Sequence, residues 1–160
     1  MKTIHGMIFC RVGNDKIDSQ EVFASACDYG HGAQNFFFGS VRDQNAGKKV
    51  TAVSYDAFEP LAEKVLQEIS HEAQLKWGNA LKISIVHRTG KLFIGEISVA
   101  IGVSSMHRDE SYQASRYIIE QIKKRAPIWK KEHYEYGETE WLKGHALCQH
   151  ADTVNHENSH

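Results

Sequence analysis

The chain has 160 residues, 41% of them apolar and 24% charged, which suits one globular domain with a core that needs no disulfide or metal staple. Its 19 basic and 20 acidic residues leave a formal net charge of -1. That balance argues against general attraction to nucleic acid or acidic membranes, so any basic site must be local.

Cys10, Cys27 and Cys148 are odd in number, widely spaced and without a C-x-x-C pair. They read as buried or incidental thiols of a reducing compartment, and not as a disulfide frame or zinc site. Residues 1–9 are too short and too interrupted for a signal peptide, and no apolar run approaches a membrane span. A soluble cytoplasmic protein is the expectation.

Residues 4–12 predict a strand. Ser19-Gln20-Glu21-Val22 offers an N-cap and the start of a short helix to about Tyr29, ended by Gly30 and Gly32. Residues 33–41, with Phe36-Phe37-Phe38, predict a buried strand. Asn45-Ala46-Gly47 is turn chemistry, and residues 50–58 alternate as a strand should. Pro60 suits the first turn of a helix whose apolar stripe is Leu61, Val65, Ile69 and Ala73, reaching Trp77 before Gly78-Asn79. Two strands follow at 81–88 and 92–103, and the short Thr89-Gly90-Lys91 between them predicts an antiparallel hairpin.

A second long helix is expected over 108–124, with Ser105 or Asp109 near its start and Tyr112, Ser115, Ile118, Ile119 and Ile122 facing inward. Pro127 stops that helix and pushes Ala126 toward extended backbone. Residues 129–136 then read as a strand, Gly137 as a turn and 139–142 as a short return strand. Residues 1–148 thus make one α+β domain. Residues 149–160, rich in Asn, Asp, His and Ser, are expected to be a disordered polar tail.

The densest chemistry is Lys123-Lys124-Arg125-Ala126-Pro127-Ile128-Trp129-Lys130-Lys131-Glu132, cations on both sides of a proline break. Basic residues gather at helix ends for dipole reasons alone, which makes Lys124 and Arg125 partly ordinary. Lys123 and Lys130 bracket the Pro127 turn and can present two amines to one pocket. On a strand Lys130 and Lys131 face opposite ways. A lysine near another cation or partly buried can serve as nucleophile or base.

His107-Arg108 opens the second helix, where backbone N–H groups and a guanidinium fork suit an anion. Arg42 ends an apolar strand at a polar loop, a common place for function. His87-Arg88 repeats the dipeptide at a strand end and reads as a structural corner. No Walker A loop, G-x-G-x-x-G, H-E-x-x-H or G-x-S-x-G is present. Residue types alone therefore reach a soluble α+β domain with a local basic pocket for a phosphorylated ligand or a carboxylate. A module that merely docks a ubiquitin-like tail stays open at this point. An RNA-binding domain is disfavoured by the near-neutral charge.

One ordered series of motifs goes further. Gly32-Ala33 leads to Phe37-Phe38-Gly39-Ser40-Val41-Arg42 and Asn45-Ala46-Gly47, followed by Tyr55-Asp56-Ala57-Phe58. His87-Arg88-Thr89-Gly90-Lys91-Leu92, Gly95-Glu96-Ile97-Ser98-Val99 and Ser105-Met106-His107-Arg108 come next, before the Lys123 to Glu132 stretch. In this order, over roughly residues 32–142, the series closely resembles the large, catalytic subunit of molybdopterin synthase. Met106 stands where that family more often has a smaller residue, and Asp56 where Glu is usual.

The resemblance implies an α/β-hammerhead-type fold and a homodimer that binds two small ubiquitin-like sulfur-carrier subunits as a heterotetramer. It implies sulfur transfer from the carrier's C-terminal thiocarboxylate to cyclic pyranopterin monophosphate, giving molybdopterin, with no metal or cofactor. By the same resemblance Lys123 and Lys130 are the catalytic pair. Arg42, His107 and Arg108 would bind phosphate and pterin, with Phe37 and Glu132 as neighbours. Neither nucleic acid nor membrane is an expected partner.

Overall fold

The computed structural model describes residues 7–136 and the backbone of Trp141–Lys143. In chain order the elements are β1 (Ile8–Gly13), α1 (Ser19–Ser25), β2 (Ala33–Ser40), β3 (Gln44–Asn45) and β4 (Lys48–Ala57). Then come α2 (Glu59–Trp77), β5 (Lys82–Arg88), β6 (Gly90–Phe93), β7 (Ile97–Ser105), α3 (Arg108–Arg125), β8 (Ile128–Tyr134) and β9 (Trp141–Lys143). The expected α+β, hammerhead-type fold is the one observed, with one parallel strand pair added to the antiparallel ones. The expected tail, the Gly137 turn and Cys148 lie outside the described residues.

The strands form two sheets. The first has the order β1-β5-β7-β2, with β1 parallel to β5 and the other pairs antiparallel. The second runs β3-β4-β8-β9, and β6 also pairs with β4. Helices α2 and α3 cover one face of the first sheet. Leu66, Ile69, Ile83, Ile85, Ile101 and Ile118 are fully buried in that layer and supply its main apolar driving force. On the other face Phe23 of α1 meets Phe36 and Phe38 edge-on, at centroid distances of 4.9 and 5.8 Å. Alternation along β2 therefore sends Phe37 the opposite way from its two neighbours. A smaller core of Val41, Val50, Val53 and Leu92 holds the second sheet.

Four sequence expectations shift in detail. Helix α1 is capped by Asp18, whose Oδ1 accepts from Gln20 N at 2.9 Å, and it stops at Ser25 instead of Tyr29. Asp28 competes for the backbone beyond, its Oδ1 accepting from Gly30 N at 2.8 Å in a local turn. The buried stripe of α2 is Ala62, Leu66, Ile69, Ser70 and Ala73, while Leu61 is exposed. Four-residue steps overshoot the 3.6-residue turn, so a strict every-fourth stripe drifts off the face. Tyr112 is likewise exposed on α3, whose inner face is Ser111, Ala114, Ser115, Ile118 and Ile122, and no side chain caps its start at His107.

The fourth concerns the hairpin. Strands β5 and β7 do pair antiparallel, but Gly90–Phe93 leaves to become β6 beside β4. The chain reverses afterwards, at Gly95, whose φ of 86° is left-handed. The Asn45-Ala46-Gly47 turn behaves as expected. Ala46 and Gly47 have φ of 49° and 77°, the pattern of the tight hairpin turn that joins β3 to β4.

At the helix-to-strand crossing, Ala126 has φ -69° and ψ 132°, the extended state imposed by the following proline. Ala126, Pro127 and Ile128 are all buried. This crossing carries the chain from the helical layer of the first sheet into the second sheet.

Candidate active site

A cavity of about 400 Å³ sits where the two sheets meet the end of α3. Lys123 enters it from the last turn of α3 and Lys130 from β8, so the two amines expected to share a pocket do line one cavity. Arg42 joins them from the loop after β2, and Phe37 from β2 itself. A larger groove of about 790 Å³ between β2 and α3 shares Phe37, Ile119 and Lys123 with the cavity. The close approach of β2 to β7 depends on Gly39, where a Cβ would sit 2.7 Å from Val99 Cγ1.

Strand register sets the direction of the two β8 lysines. Lys130 pairs with Tyr55, another cavity residue, while Lys131 pairs with Ser54 and faces the other way. Lys130 Nζ lies 2.7 Å from Glu132 Oε1, and Glu132 is only 5% exposed. The other oxygen, Oε2, accepts from Asn45 Nδ2 at 2.7 Å and from the Tyr134 hydroxyl. Burial alone would raise this carboxyl, but Lys130, Tyr134 and Asn45 outweigh it and hold Glu132 below its ordinary range. Lys130 is thus presented to the cavity as the cation of a buried ion pair, suited to stabilising negative charge rather than to acting as a free amine.

The neighbouring cations sort themselves. Arg125 is used in packing: its Nη1 and Nη2 donate to Glu72 Oε2 and Oε1 at 2.6 and 2.9 Å, clamping α3 to α2. Lys124 lines the outer groove and not the cavity. His107 and Arg108 are exposed at the start of α3. With 18 residues in that helix, they stand about 22 Å along its axis from Lys123, so one subunit does not bring them to the cavity.

The His87-Arg88 dipeptide splits across its strand. Arg88 is a corner residue, as expected, with Nη1 donating to Glu96 Oε2 at 2.7 Å. His87 is a cavity residue that sequence reasoning assigned to structure. Its Nδ1 lies 3.0 Å from Arg88 O, and its ring meets Tyr55 edge-on at 5.1 Å. Burial pushes the imidazole down to about 4, against the smaller opposing effect of the Arg88 carbonyl. Tyr55, Asn45 and Tyr134 were also missed as site residues, although Tyr55 and Asn45 both lie within the recognised motifs.

Among the described residues, no helix is long and apolar enough to cross a membrane, and no group of three or more His, Cys, Asp or Glu is placed to hold a metal ion. The MoaE protein family matches residues 12–125. The molybdopterin synthase catalytic subunit of Synechococcus elongatus is 48% identical over 119 residues, covering 74% of this chain and 72% of the relative. The crystal structure of molybdopterin synthase from Staphylococcus aureus superposes with a TM-score of 0.78 at 39% identity, over 82% of this chain and 95% of that one. A Helicobacter pylori structure, described as a protein–protein complex of subunits 1 and 2 of molybdopterin-converting factor, has a TM-score of 0.65 at 22% identity and shares the fold; it covers 85% of this chain and 88% of that one. A cation-lined cavity and a match through most of the domain lead to one assignment: the chain belongs to the MoaE family, the molybdopterin synthase catalytic subunits of molybdenum cofactor biosynthesis.

Proposed function

We propose that this chain moves sulfur from the C-terminal thiocarboxylate of a small ubiquitin-like carrier subunit to cyclic pyranopterin monophosphate. The observation that carries this reading is the convergence of Arg42, Lys123 and Lys130 on one cavity beside an open groove. Three cations from three elements suit a site that must hold a phosphate and an anionic peptide tail together. Lys123 and Lys130 guide the thiocarboxylate and stabilise charge while its sulfur bonds to an electrophilic carbon of the pterin side chain. Water then cleaves the acyl–sulfur bond and returns the carrier as a carboxylate. Each carbon that takes sulfur gives up a bond to oxygen: one transfer displaces the phosphate oxygen and opens the cyclic phosphate, the other expels the side-chain oxygen as water, and together they give the dithiolene. Arg42 grips the phosphate, and Phe37 walls the ring. Residues 1–148 act as one unit in this scheme, in the cytoplasm.

His107 and Arg108 fit this reading only in an assembly. The length of α3 separates them from their own cavity, which supports their supply by a second copy. The working unit is therefore a homodimer carrying two carrier subunits. The Helicobacter pylori complex of two subunits, a protein of the same fold, is in keeping with a carrier partner. The test is incubation of the full chain with thiocarboxylated carrier and cyclic pyranopterin monophosphate, followed by fluorescence of the oxidised product. Product formation is expected; carrier binding without product would reduce the protein to a docking module.

A further inference from the structure

We propose that His87 is a fixed hydrogen-bond acceptor for the N–H edge of a fused nitrogen heterocycle bound in the cavity, and so a residue that determines which ligand the cations are allowed to hold. This rests on the sulfur-transfer reading above and names a contact within the same site. Arg88 O, 3.0 Å from Nδ1, is a carbonyl oxygen and only accepts, so Nδ1 bears the ring proton. In a neutral imidazole the other nitrogen, Nε2, then carries the lone pair.

Burial keeps the ring neutral at physiological pH, and Arg42, Lys123 and Lys130 line the same cavity. Those three side chains can only donate hydrogen bonds. They grip phosphate or carboxylate and cannot read an N–H. An acceptor is needed for that, and His87 offers one whose tautomer is set by the backbone and whose ring is braced by Tyr55. A ligand without a matching donor would seal the lone pair from water unpaired, which penalises it.

The experiment uses the full chain with its thiocarboxylated carrier and measures steady-state kinetics. His87→Phe keeps the ring bulk without the acceptor and should raise KM for the pterin about tenfold, the size of one neutral hydrogen bond, with kcat little changed. His87→Gln, which carries an amide oxygen, should recover most of that loss. An unchanged KM in His87→Phe overturns the proposal, whether or not kcat falls. A second arm needs no variant: the unsubstituted protein should bind a ring-N-methylated pterin about tenfold more weakly than the parent pterin. Equal binding of the two also overturns it. Absence of product from the unsubstituted protein would sink the sulfur-transfer reading and this proposal together, whereas normal turnover with an unchanged KM in the Phe variant sinks this proposal alone.

Discussion

Glu132 Oε1 lies 2.7 Å from Lys130 Nζ, and the same carboxylate is anchored behind the cavity by Asn45 Nδ2 at 2.7 Å and by the Tyr134 hydroxyl. The cation is therefore aimed by a buried anion that is itself held by the β3–β4 turn and by β8. Glu132→Gln removes the charge and keeps the shape. It should lower kcat at least tenfold and cost about 2 kcal/mol of stability, because Lys130 is left beside a neutral amide. Turnover and urea unfolding measured on the same preparation check both effects.

Asn45 reaches the chemistry only through Glu132, so its variants should scale with their effect on that carboxylate. Asn45→Ala removes one donor and should reduce kcat severalfold with little change in KM. Asn45→Asp sets a second anion against Glu132 and should be the worse of the two in both kcat and melting temperature. If Asn45→Asp matched Asn45→Ala in both, the charge relationship described here would be wrong.

Lys123 is exposed on the last turn of α3 and lines the cavity. Lys123→Ala should abolish product formation with purified carrier while the melting temperature stays within a degree or two. Near-normal turnover would remove Lys123 from the catalytic pair.

A second copy that supplies His107 and Arg108 makes a specific prediction about mixed dimers. Lys123→Ala and Arg108→Ala subunits, each inactive alone, should regain activity when mixed and allowed to exchange. One site of each mixed dimer then combines an intact cavity with an intact Arg108 from the other subunit. Mixing without recovery would place Arg108 in service of its own subunit, or outside the site.

The cavity was partly visible in the sequence for a physical reason. Pro127 joins a helix end to a strand start, so Lys123 and Lys130 were bound to lie near one another, and the alternation of β8 was bound to separate Lys130 from Lys131. His87 was not visible as a cavity residue, because its placement depends on Tyr55 crossing over from the other sheet. Asn45 looked like turn chemistry, and it is; nothing in a turn motif reveals that its amide donates to a carboxylate 87 residues away. The antiparallel pairing predicted for this hairpin holds between β5 and β7, but its connection was not visible for a similar reason. Pairing of Gly90–Phe93 with β4 is a long-range choice that local spacing does not record.

His87 also makes a prediction for stability against pH. Its folded value, about 4, lies below the ordinary 6.5, with burial as the leading cause. The neutral form is therefore favoured by folding. That contribution is fully present above about pH 6.5 and is lost as pH falls toward 4, where the buried ring takes up a proton. Over that window the loss should reach about 3 kcal/mol. Glu132 and Glu72, both held below the ordinary carboxylate range, change stability in the same direction at lower pH, so the unsubstituted protein alone does not isolate the imidazole. The difference between it and His87→Gln does. Urea unfolding at pH 7.5 and pH 4.5 should show a smaller loss in the Gln variant, and equal losses would mean that His87 does not change protonation between the folded and unfolded states.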